Sequence, residues 1–116
     1  MKSHLPFRAE ILRPHENVAV LAVDGDLDVY AGPHFKELFL RVIAEGPRDL
    51  IVDLSKATTL DSTGLGVLVS GAKRAGASSL AIVCCDQAMS NVFALVGLDR
   101  IFSVFGSRAA ALAAAC

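Results

Sequence analysis

The stretch Leu50-Ile51-Val52-Asp53-Leu54, followed after a short polar segment by Leu60-Asp61-Ser62-Thr63-Gly64-Leu65-Gly66, decides how the rest of the chain is read. Leu50 to Leu54 is apolar and rich in β-branched residues, as a buried strand requires, and Ser55 to Thr59 reads as a polar connection. From Leu65 the apolar period changes: Leu65, Leu68, Val69, Ala72 and Gly76 fall on one helical face. Asp61 and Ser62 therefore sit where a strand hands over to a helix N-terminus. Such a point offers exposed backbone N–H groups and the positive end of a helix dipole. Asp61 is the better capping residue of the two, which leaves Ser62 in the first turn with its hydroxyl outward. On position alone Ser62 reads first as part of a helix cap. A hydroxyl displayed there is also well placed to carry a phosphate.

On the N-terminal side, Phe7 to Arg13 alternates apolar and polar and predicts a strand with one wet face. Pro14-His15-Glu16-Asn17 has turn composition, and Val18 to Val23 is apolar throughout, so the two strands read as a hairpin. Asp24-Gly25-Asp26-Leu27-Asp28 closes the second strand with acids, and Gly32-Pro33 sets a helix start. Phe35, Leu38, Phe39 and Val42 recur at helical spacing up to Gly46-Pro47, with Leu40 off that stripe. On the C-terminal side, Lys73 and Arg74 suit the last turn of the central helix, and Gly76 suits its left-handed terminus. Leu80 to Cys85 predicts a buried strand. Asp86 caps a helix whose face is Met89, Val92, Phe93 and Val96, ended by Gly97. Ile101 to Phe105 is a last strand, and Ser107 to Cys116 an alanine-rich helix. The expected architecture is α/β: one domain over residues 1–116, with a mixed sheet of about five strands and about four helices.

Composition narrows the function. A formal net charge of -1 gives no electrostatic case for nucleic acid or an anionic membrane. The hydrophobic fraction is 53%, yet every apolar run is broken well short of the roughly 18 residues of a membrane span. Met1 to Phe7 lacks the apolar core of a signal peptide. Three cysteines, of which Cys84 and Cys85 are adjacent, have no metal-ligand or CxxC spacing and predict reduced, buried thiols in a cytosolic protein. His4, His15 and His34 are scattered among tail, turn and helix start, so neither a metal nor another cofactor is expected.

The element order and two motifs resemble the STAS domain of bacterial anti-sigma factor antagonists, also called anti-anti-sigma factors. The first motif is Gly25-Asp26-Leu27-Asp28. The second is Asp53-Leu54-Ser55 with Leu60-Asp61-Ser62-Thr63-Gly64-Leu65-Gly66, and Leu95-Val96-Gly97-Leu98 is a weaker third. The terminal helix departs from the family in being almost all alanine. The resemblance implies a STAS-like fold over nearly the whole chain and a phosphorylated serine at Ser62. It further implies a partner surface of Asp26, Asp28, Asp61, Ser62, Thr63, Gly64, Leu65 and Gly66. The implied partners are an anti-sigma factor that is a serine/threonine kinase and a PP2C-type phosphatase that restores the hydroxyl. Asp26 and Asp28 read by themselves as ordinary turn acids; beside the Ser62 turn they would form an acidic rim for basic groups of the kinase. Gly64 and Gly66 read either as packing positions or as bare backbone over which a partner approaches.

An enzyme is not expected. Ser62 lacks a Gly-x-Ser-x-Gly elbow, no histidine occupies a comparable loop, and there is no Gly-x-x-x-x-Gly-Lys loop for nucleotide phosphates. The alternative function is a STAS interaction subunit of another regulatory or lipid-transport assembly.

Overall fold

A computed structural model describes residues 6–75 and 79–115. His4, Gly76 and Cys116, to which expectations were attached, lie outside the described residues. Strand β1 (Arg8–His15) turns through Glu16 and Asn17 into β2 (Val18–Leu27), and the two pair antiparallel. Helix α1 (Gly32–Ala44), β3 (Asp49–Leu60), α2 (Ser62–Ala75), β4 (Ser79–Val83) and α3 (Gln87–Val96) follow. A single 3₁₀ turn, Leu98–Arg100, then leads to β5 (Ser103–Phe105) and α4 (Arg108–Ala115). The sheet order is β1-β2-β3-β4-β5, with β2 to β5 parallel. This is the mixed sheet with four helices that the pattern predicts.

Neighbouring parallel strands joined in sequence by right-handed crossovers put all three connecting helices on one face of the sheet. The main core lies there: Phe35, Phe39, Leu68 and Phe93 pack against Leu21, Leu50, Val52 and Ile82. The opposite face buries Val18, Val20, Ile51, Ala81 and Val83 under Ala111 of α4. The local signals explain the ends. Pro33 lies in the first turn of α1. Asp86 accepts the N–H groups of Ala88 and Met89 at the start of α3, and Gly97, at φ +81°, takes the left-handed residue after it.

Several expectations are corrected. Strand β3 does not end at Leu54 but runs to Leu60, because β2 continues through Asp24-Gly25-Asp26-Leu27 and pairs with it. Two register shifts and Gly25 at φ +87° break the alternation that marks a strand in sequence. In α2 the buried residues are Gly64, Val67, Leu68, Gly71 and Ala72, with Leu65 and Val69 half-buried. Gly71 faces α1: a Cβ there would lie 2.3 Å from the Phe39 ring. In α3 only Met89 and Phe93 are buried, while Val92, Leu95 and Val96 face outward. The last strand starts at Ser103, because Ile101 and Phe102 close the 3₁₀ turn onto Leu98. Of the two adjacent cysteines Cys84 is buried and Cys85 exposed. Leu40, off its helical stripe, is half-buried.

Helix α4 is short and nearly all alanine, so packing alone holds it weakly. Its anchor is electrostatic. Asp53, 3% exposed, accepts a 2.6 Å hydrogen bond from Nε of Arg108, the first residue of α4. The other carboxylate oxygen accepts the Ser55 N–H at 2.9 Å. Burial pushes the Asp53 carboxyl up, but the bonds from Ser55 and Arg108 outweigh it and hold it below its usual 3.8. A depressed folded value contributes stability above the unfolded value that is lost as pH falls through the folded one. Arg108→Ala should therefore cost about 1–3 kcal/mol at neutral pH. The gap in melting temperature from wild type should narrow as pH falls through the depressed Asp53 value, below the usual 3.8, because the charge that Arg108 pairs with is then lost. A gap that stays constant on acidification would show that Arg108 acts by packing instead.

Candidate functional site

The carboxyl ends of β2 and β3 lie side by side, with Leu27 opposite Leu60. The Asp61 N–H donates to the Leu27 carbonyl at 3.4 Å, so the turn that carries Ser62 is stitched to the strand that leads to Asp28. Asp61 caps α2: its Oδ1 accepts the N–H groups of Thr63 at 2.9 Å and Gly64 at 3.2 Å, and its carbonyl accepts that of Leu65. Ser62 is the first residue of the helix and is exposed. The adjacent hydroxyl, that of Thr63, is half-buried. A Cβ on Gly32 would meet Thr63 Cγ2 at 2.6 Å, so the Thr63 methyl is lodged against the start of α1. Two neighbouring hydroxyls are thus separated by one residue's rotation of about 100°, and Ser62 is the presented one.

The acidic residues divide. Asp28 is half-buried, and its Oδ1 accepts the N–H groups of Tyr30 at 3.0 Å and Ala31 at 3.1 Å. Its carboxylate shapes the turn into α1 at the same sheet end as Ser62. Asp26 is only 8% exposed, which corrects its expected place on an acidic rim. It lies in β2, facing β3, where its Oδ1 accepts the hydroxyls of Thr58 and of Thr59, the latter at 3.3 Å. A buried carboxylate needs such donors. Here they clamp the two strand ends that hold the Ser62 turn. Thr58 and Thr59 went unremarked in the sequence because that segment read as a loop. Among the described residues, no three His, Cys, Asp or Glu side chains converge as a metal site would need.

The comparisons with known proteins give the family and the fold. The family description "STAS domain" matches residues 11–111. The chain belongs to the STAS-domain family. It is 31% identical over 94 residues to the anti-sigma-F factor antagonist RsfB of Mycobacterium tuberculosis, spanning 80% of this chain and 77% of the relative. With an anti-sigma-B factor antagonist of Staphylococcus epidermidis it shares 30% over 92 residues, 78% of this chain and 85% of the relative. The crystal structure of an anti-sigma factor antagonist from Mycobacterium paratuberculosis superposes with a TM-score of 0.86 at 27% identity, covering 94% and 93% of the two chains.

In this STAS domain the two glycines of the motif separate into different uses. Gly64 is buried, and a Cβ there would lie 2.5 Å from Leu60 Cδ1 and 3.2 Å from Leu27 Cγ. Gly66 is exposed, and a Cβ there would meet nothing within 4 Å. The fold requires a glycine at the first position only. Gly66→Ala should therefore raise stability, by up to about 1 kcal/mol, the helical preference for alanine over glycine. Gly64→Ala should lower it by about 1–3 kcal/mol through overpacking. Chemical denaturation of both variants checks the pair, and a destabilised Gly66→Ala would refute the assignment.

Proposed function

We propose that this chain is an anti-sigma factor antagonist switched by phosphorylation of Ser62. The unmodified form binds an anti-sigma factor that is also a serine/threonine kinase and so releases the sigma factor. The kinase then transfers a phosphoryl group to Ser62, and a PP2C-type phosphatase removes it. The names of the relatives support the antagonist reading. The observation that carries the Ser62 part is the presentation of one hydroxyl at the head of α2, with the flanking groups already committed. In the transfer, the Ser62 oxygen bonds to the terminal phosphorus of ATP and the bond to ADP breaks. The hydroxyl proton passes to a base of the kinase. The chain is then a substrate and a binding module.

The physical effect of the phosphate follows from Asp61. A phosphoserine carries about -1.5 to -2 charges at neutral pH. At many helix N-termini vacant N–H groups would take up that charge. Here Asp61 already accepts those of Thr63 and Gly64. The new anion therefore stands beside a carboxylate and, in the complex, faces the phosphates of the kinase's nucleotide. Juxtaposed like charges cost several kcal/mol across an interface, which lowers affinity by orders of magnitude. The helix dipole still favours the charge within the domain, so the fold persists.

Incubation with the kinase and ATP should add one phosphate, located on Ser62 by mass spectrometry; a phosphate on Thr63 or Ser55 would sink the assignment. Ser62→Ala should bind like unmodified wild type, and the phosphorylated protein at least a hundredfold more weakly with an unchanged circular dichroism spectrum. Equal affinities would defeat the charge mechanism, and loss of structure on phosphorylation would replace it by unfolding.

Asp28→Asn keeps an oxygen for the Tyr30 and Ala31 N–H groups while removing the charge. It should melt as wild type does and weaken kinase binding by slowing association, an effect that fades with salt. Unchanged association with an early melt would make Asp28 purely structural.

A further inference from the structure

On the α4 face of the sheet, opposite α1 and α2, a cavity of about 360 Å³ opens beside the head of α4 over β1, β2 and β3. Its size lies within the roughly 300–1,000 Å³ of small-molecule sites. Ala22 of β2 is at its centre, with Glu10 of β1 opposite on one side and Asp53 of β3 opposite on the other. A methyl between longer side chains gives the site its depth. The next row across the sheet is Arg8, Asp24 and Lys56. Between the two rows β3 has one residue more than β2, and both Ser55 and Lys56 line the cavity as a result.

The charges sort by wall. Arg8, Glu10 and Asp24 of β1 and β2 leave one wall with an excess negative charge; Asp53, Lys56 and Arg108 of β3 and α4 leave the other with an excess positive one. Cross-strand neighbours of opposite sign usually pair. Yet among the described residues Arg8, Glu10, Asp24 and Lys56 form no ion pair. Arg108 holds Asp53 through Nε, and its two terminal nitrogens have no acceptor among the described residues.

We propose that this cavity binds a small zwitterion, with its carboxylate on Arg108 and Lys56 and its ammonium between Glu10 and Asp24. The terminal N–H groups of a guanidinium form a fork that fits a carboxylate, and Lys56 adds a second cation on the same wall. Glu10 and Asp24 are diagonal neighbours across β1 and β2, close enough to share one ammonium. Strands stand about 4.8 Å apart, so the two walls are separated by about 5–10 Å. An extended ω-amino acid spans that distance. A plain anion would meet the negative wall and a plain diamine the positive one, so half of the site discriminates against each. The site is independent of the phosphorylation of Ser62.

Three molecules of matched length test this: ε-aminocaproate, a zwitterion; adipate, a dianion; and hexamethylenediamine, a dication. In isothermal titration calorimetry with the whole chain, ε-aminocaproate should bind at least tenfold more tightly than either of the others. The amide resonances it shifts should centre on Ala22, Ser55 and Lys56. Lys56→Glu reverses the excess charge of the β3 wall, and should lower ε-aminocaproate affinity at least tenfold while hexamethylenediamine becomes the preferred probe. Glu10→Lys reverses the opposite wall and should turn the preference to adipate. Both positions are exposed, so both variants should melt close to wild type. Lys73→Glu, on α2 and outside the cavity, should bind as wild type does. If adipate or hexamethylenediamine binds wild type as tightly as ε-aminocaproate, or none of the three binds, the cavity is not a zwitterion site. A preference that ignores the two charge reversals overturns the assignment as well.

Discussion

Everything at the Ser62 end depends on the pairing of β2 with β3 along their outer halves, past Ala22 and Asp53. Up to Ala22 and Asp53 both strands are covered by helices, and their apolar side chains suffice to hold the register. Past that point β3 carries Ser55, Lys56, Thr58 and Thr59, all exposed, and its apolar support thins to buried Leu54 with half-buried Ala57 and Leu60. Backbone pairing and one buried carboxylate share the task of holding the ladder. Asp26 draws the hydroxyls of Thr58 and Thr59 inward, and the Leu27 carbonyl holds the Asp61 N–H. Buried polar groups satisfied in this way specify one arrangement more sharply than apolar contacts, since every alternative leaves a charge without donors. The turn that displays Ser62 is accordingly the end of a rigid ladder.

Asp61 and Asp28 show one chemical device used twice. Each aspartate follows a strand end, and each accepts two successive backbone N–H groups that begin the next helical turn. Each thereby brings a negative charge to the same rim as a structural necessity. A modification that acts by adding further negative charge gains from such a setting. Within the domain, backbone N–H groups already accommodate the two acids, and the increment falls on whatever body approaches the rim.

Much of this was legible in the sequence. The apolar runs and their change of period gave the strands and helices, because buried strands and amphipathic helices follow from burial alone. Asp61, Asp86, Pro33 and Gly97 act as caps and breakers as their chemistry predicts. What was hidden lies where side chains do not announce the backbone. The outer half of β3 is polar because it leaves the layered part of the molecule, so no apolar alternation marks it. Asp26 read as a surface acid because only the three-dimensional register, Asp26 opposite Thr59, supplies its partners. The buried side of α2 includes Gly64, Gly71 and Ala72 beside Val67 and Leu68, and a hydrophobicity pattern does not register that Gly71 receives the Phe39 ring of α1.

The placement of α4 has a consequence for how this module can be joined to other things. Arg48, just before β3 begins, donates to the carbonyl of Ala115 at 3.3 Å, so the described C-terminus is tied to the start of that strand. Ser62 follows the far end of the same strand, 12 residues on, a separation on the order of 30 Å or more at strand rise. Any cargo attached beyond α4, whether a fluorescent protein, a surface for immobilisation or a second folded unit, leaves from the pole remote from the Ser62 turn. The domain can be tethered there and still present its working end unobstructed.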